Sequence, residues 1–158
     1  MNAFATIPGL LVMGAGLLNP GMVYGQSSTV DSCESALIAG EGRLNDVPNV
    51  SVTIFSTRDI SGQYQNPPAG RSVEIIFGMG GIDSSGSAAD GPVNNVLNSP
   101  VMMAEIATHI FEACTATGIV TFGLDGTGLK YSLGWTSDGP LKFECSLEAD
   151  EWGEMSCD

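Results

Sequence analysis

The chain has 158 residues, enough for one domain and short for two. Only 15% of it is charged, and 5 Lys plus Arg face 18 Asp plus Glu for a formal net charge of -13. Nucleic acid and anionic membrane surfaces are excluded as partners, because both are bound by placing Lys and Arg against phosphate or headgroup charge. A protein or cationic partner remains compatible with this surface.

Residues Ile7 to Leu18 (IPGLLVMGAGLL) form an uncharged apolar run of 12. A membrane-spanning helix needs about 20 such residues, so the run matches the apolar core of a signal peptide instead. Asn19-Pro20-Gly21 breaks any helix there. Val23-Tyr24-Gly25 then supplies small residues at the two key positions of a cleavage site, leaving Gln26 as the first mature residue. The leading MNAFAT has no Lys or Arg, which departs from the usual signal. The expected division is a signal peptide over 1–25 and a single α+β domain over 26–158, exported to the periplasm or outside the cell. No integral membrane association is expected after cleavage.

Cys33, Cys114, Cys145 and Cys157 fall in no C-x-x-C pair, and the chain has one histidine. A zinc or thioredoxin-like reading therefore has no basis, and neither cofactor nor metal is expected. An even count behind an export signal reads as two disulfides. Three pairings are open. Cys145 with Cys157 is preferred because the carboxyl-terminal tail can fold back on the last strand, which leaves Cys33 with Cys114.

Along the mature chain, 26–48 shows no clear period beyond one helical turn at Ser35 to Ala39. Val50, Val52 and Ile54 alternate with Ser51 and Thr53, and Val73, Ile75 and Phe77 alternate around Glu74, giving two strands. Pro67, Pro68 and Gly70 mark the link between them as a loop. The small residues from Gly78 to Pro92 read as a mobile surface loop. Ser99-Pro100 opens a helix that buries Met102, Met103, Ile106, Ile110, Ala113 and Cys114 and ends at Gly118. Three strands follow, with Val120, Phe122, Leu124, then Leu129, Tyr131, Leu133, Trp135, then Leu141, Phe143, Cys145, Leu147 on one buried face. Asp125 to Gly128 forms the first turn and Ser137-Asp138-Gly139 the second. The expected fold is an antiparallel sheet of about five strands, β-β-α-β-β-β, with one main helix on one face and two disulfides.

No motif assigns a chemistry. His109 lies between Glu105 and Glu112 on the polar side of its helix, an arrangement suited to a general base or a metal ligand, but more simply a solvated histidine beside acids. The glycine-rich stretch has no phosphate-binding motif, and Ser84, Ser85 and Ser87 have no G-x-S-x-G context. Glu144, Glu148, Asp150, Glu151 and Glu154 make an acidic tail without a calcium-loop pattern. Trp152 sits among these acids, either as an anchor for a partner or carbohydrate or as a cover for the disulfide. The reading that remains is a non-catalytic binding or interaction module. Its two candidate surfaces are Trp152 and the 80–92 loop with Asp83 and Asp90. The alternatives are a secreted enzyme inhibitor presenting that loop, and a small hydrolase or metal enzyme using His109.

Overall fold

In a computed structural model, residues 27–83 and 85–156 are described. The expected signal segment lies outside them. Three helices and seven strands follow in the order α1 (Ser27–Asn45), β1 (Val50–Asp59), β2 (Val73–Gly81), α2 (Gly91–Leu97), α3 (Pro100–Ala113), β3 (Thr117–Leu124), β4 (Lys130–Gly134), β5 (Leu141–Lys142), β6 (Glu144–Ser146) and β7 (Glu154–Ser156). The α+β class is as expected, but the sheet is mixed rather than antiparallel. Its order is β1-β2-β3-β4-β5, with β2 and β3 parallel and the other neighbours antiparallel.

The parallel pair follows from what joins it. The chain leaves the end of β2, runs through α2 and α3, and returns to the start of β3, a helical crossover that only parallel strands need. β3 is consequently covered on both sides and is buried along almost its whole length. The stretch expected as loop from Gly78 onward splits three ways. Gly78 to Gly81 complete β2, residues 82–90 form a short connection, and Gly91-Pro92 open α2 with proline in its first turn. Gly118 caps no helix. It belongs to β3, where an added Cβ would meet the Arg71 carbonyl oxygen at 2.6 Å.

Helix α1 packs on α3 and β1, so three helices rather than one cover the first face of the sheet. Their core includes Leu44, Val96, Met103, Ile106 and Ile110 against Ile75, Phe77, Val120 and Phe122. Cys33 of α1 is bonded to Cys114 at the end of α3, the pairing expected for these two residues. This is the one disulfide found among the described residues, not two. Cys145 is not a free thiol, and Cys157 lies outside the described residues.

The last expected strand is broken in two and turned over. Leu141 pairs with Gly134, and the Phe143 amide donates to the Ser132 carbonyl at 2.9 Å. That register is one residue away from placing Leu141 beside Trp135, and a one-residue slip exchanges the two faces of a strand. Phe143 therefore packs on the helix-free face with Ile60 and Ile119, covered by Tyr64, Trp152 and Met155. Gly134 permits this: its Cβ would sit 2.2 Å from the Phe143 ring. Leu147, expected on the buried face, is exposed, and the chain continues as β6, paired in parallel with β7.

Candidate functional site

The helix-free face of the sheet carries a trough between its apolar lower end and the β3–β4 turn. At the turn end, Gly123 of β3 raises no side chain from the sheet, and a hollow of 310 Å³ opens beside Leu129 and Ile54, the latter covering Gly78 of β2. Below it lies a second hollow of 230 Å³, walled by Tyr64, Phe143, Ile119 and Met155. Arg58, Glu74 and Lys130 line both hollows, so the two adjoin.

The polar floor comes from strand alternation. Glu74, Thr121 and Ser132 occupy positions on β2, β3 and β4 whose side chains point away from the helices, and all three are buried. The Thr121 hydroxyl donates to Glu74 Oε1 at 2.7 Å, and Thr121 Oγ1 and Ser132 Oγ are 2.7 Å apart. Glu74 Oε2 lies 2.5 Å from an Arg58 guanidinium nitrogen in an ion pair, yet that oxygen has no partner in hydrogen-bonding geometry. Arg58 sits opposite Glu74 in the β1–β2 register, which brings the two together. Burial, and then the Glu74 charge, push the Tyr64 phenol above its ordinary value, so it is neutral and keeps its proton at physiological pH.

The candidates from the sequence fall elsewhere. Trp152 is half-buried. Its indole N–H donates to the Trp135 carbonyl at 3.3 Å, and its ring meets Tyr64 and Phe143 edge-on. It also touches the start of β3 at Gly118. Asp83 and Asp90 follow the far end of β2, which runs parallel to β3, so they lie at the opposite end of the sheet from Trp152 and the three form no single site. Asp83 Oδ1 accepts from the Ser85 and Ser87 amides and from the Ser85 hydroxyl, tying its own loop. These bonds hold the Asp83 carboxyl below its ordinary range. Asp90 precedes α2, and its side chain makes no capping bond.

His109 is exposed on α3, where Glu105 is drawn to Arg43 of α1 at 2.6 Å. Among the described residues no group of three or more His, Cys, Asp or Glu is placed to hold a metal ion. Among them, too, no helix is long and apolar enough to cross a membrane.

Sequence reading singled out none of Arg58, Glu74, Thr121 and Ser132. The available signal was Glu74, an acid inside a strongly apolar strand, together with two small hydroxyls at outward positions of the next strands. No family model matches this chain, and neither a curated protein nor a solved structure matches it.

Proposed function

We propose that this chain is an exported, non-catalytic binding module whose ligand site is the trough on the helix-free face of the sheet. The observation that carries this reading is Glu74: a buried acid side chain, ion-paired to Arg58 and bonded to the Thr121 hydroxyl, that lines two adjoining hollows. A concave surface onto which a few polar groups converge is the usual form of a ligand site.

Export is supported by the Cys33–Cys114 bond, since disulfides persist in oxidising compartments. Intact mass of the natural product tests this part. A chain starting at Gln26 and lighter by at least two hydrogens than its reduced form is expected; a full-length chain with free thiols overturns it.

Isotope-labelled protein titrated with mixtures of small polar compounds tests the site. Shift changes centred on Glu74, Thr121 and Ser132 are expected. Changes confined to the 82–90 connection or to Trp152 refute the trough and restore one of the surfaces read from sequence.

A secreted inhibitor presenting the 80–92 segment is the second reading. It is favoured by the bracing of that segment through Asp83, because inhibitory loops need rigidity. Cleavage within the segment by a panel of proteases, without inhibition, removes it.

A further inference from the structure

Strand β1 is an open edge of the five-stranded sheet. In an antiparallel pair the backbone groups of alternate residues point to the neighbour, and the others point away. The Ile60 amide donates to the Ser72 carbonyl at 2.8 Å, one step beyond the Asp59–Val73 pair, so Phe55, Thr57 and Asp59 turn their N–H and C=O groups outward. Val52, across the bulge, does the same, and its amide donates to Asn45 Oδ1 at 2.8 Å. At the far end, Gln63 Nε2 donates to the Asp59 carbonyl at 3.0 Å. Side chains thus close the edge at Val52 and at Asp59. Between them the amides and carbonyls of Phe55 and Thr57 face outward, both residues are exposed, and among the described residues no strand pairs with them.

This window is symmetric about Ser56. A second β1, laid antiparallel with a two-fold axis at Ser56, sets Phe55 opposite Thr57 of the second copy and Thr57 opposite its Phe55. Every outward group of these two residues is then bonded in both copies. Directly opposed residues share a face of the sheet. On the helix face, Phe55, tilted against Phe77, stands beside Thr57 of the second copy, which lines an apolar hollow of 480 Å³ with Leu37, Val73 and Ile75. On the other face, Ile54 meets the aliphatic stem of Arg58. Ile54 and Phe55, both exposed in the single chain, are thereby covered. Each chain carries a net charge of -13, yet residues 50–57 carry none, so Arg58 and Asp59 meet no like charge across the axis. One patch supplies both the projecting ring and the hollow beside it, which is the self-complementarity an isologous contact requires. We propose that the chain forms a two-fold dimer through β1, joining the two sheets into one with both helix-free faces on the same side. This contact does not depend on what the trough binds.

Sedimentation of the full chain over a range of concentrations, in salt that screens its charge, is the test. A mass rising to twice that of the chain is expected. Thr57→Pro removes an outward amide while sparing the ladder to β2, and is expected to weaken the dimer at least about tenfold, because two hydrogen bonds are lost across the axis. Ser56→Lys sets like charges face to face on the axis and is expected to weaken it too. Circular dichroism checks that both variants fold. The two Ser56 residues form a non-hydrogen-bonded pair, with Cα atoms roughly 4.5 Å apart, within disulfide reach. Ser56→Cys is therefore expected to give a reducible covalent dimer under mild oxidation. A dimer that persists in both folded variants places the interface elsewhere and overturns the proposal. So does a chain that stays monomeric at every concentration, which leaves the edge to a strand of another protein. If both substitutions unfold the chain, the cross-link decides alone, and its absence from a dimeric Ser56→Cys chain overturns the two-fold register.

Discussion

Cys33 and Cys114 bring their Cα atoms to 4.7 Å across 81 residues of chain, fastening α1 to the end of α3. The closed loop contains β1, β2, α2 and α3, so opening it releases most of the fold's restraint on the unfolded chain. A loop of this length is worth about 4 kcal/mol on chain entropy. The double variant Cys33→Ser, Cys114→Ser is expected to lose a stability of that order in urea, with α1 detaching first. Hydrogen exchange that speeds in α1 before the sheet checks the order of events.

Gly134 and Phe143 form the second sensitive contact. With a Cβ 2.2 Å from the ring, Gly134→Ala forces Phe143 off the helix-free face and opens the cluster with Ile60 and Ile119. Overpacking of this kind costs about 1–3 kcal/mol, and Phe143→Ala about 3–5 kcal/mol through the cavity it leaves. Because the two act on one contact, the double variant is expected to fall short of the sum. Urea midpoints of the three proteins measure this. Additive losses refute a shared contact.

That contact also explains how much was legible in the sequence. Period-two alternation located β1, β2, β3 and β4, and helical spacing located α3, although in β1 a bulge between Val52 and Ile54 breaks the repeat and leaves Ile54, expected on the buried face, exposed. The turn from Leu124 to Leu129 was legible too, and the Leu124 amide bonds the Leu129 carbonyl. Helix α1 was not. Its sequence, with Gly40, Gly42 and several serines, has little amphipathic contrast, and the tie to Cys114 and packing on α3 add what its own propensity lacks. Alternation marks which residues share a face but not which face, so the inversion at Leu141 was invisible, as was the parallel pairing of β2 with β3. The trough was hidden for the same reason. Glu74, Thr121 and Ser132 lie on three strands at positions that read as solvent-facing, and only the register joins them.

Arg71 makes a third prediction. Its guanidinium donates to the carbonyls of Phe111, Cys114 and Thr117 at 2.9, 3.3 and 3.0 Å and lies 4.5 Å from the centre of the Trp135 ring. One side chain thus closes the end of α3, the disulfide and the start of β3. Burial lowers the Arg71 pKa from its ordinary value, yet arginine stays charged across the working range. Arg71→Met keeps the length, removes the one nitrogen, Nη1, that reaches all three carbonyls, and is expected to cost about 2–4 kcal/mol. Arg71→Lys restores charge without the guanidinium plane that lies over Trp135 and is expected to recover less than half of that loss. Full recovery by lysine in a thermal melt argues that charge, rather than the guanidinium plane, matters here.

Asp83 gives a pH dependence with a definite sign. Its carboxyl is depressed below 3.8, first by the Ser85 hydroxyl and then by the Ser87 and Ser85 amides. A group whose folded pKa lies below its unfolded one contributes order that is complete above about pH 5 and is lost as pH falls through the folded value. The connection from Asp83 to Ser87 is therefore expected to be braced at neutral pH and to loosen only in acid. Asp83→Asn is expected to loosen it at all pH values, because an amide oxygen accepts these bonds more weakly than a carboxylate. Protection of the Ser85 and Ser87 amides, measured against pH in both proteins, checks this. If the native protein shows the same protection at pH 7 and well below the depressed pKa, the carboxylate is not what holds the loop.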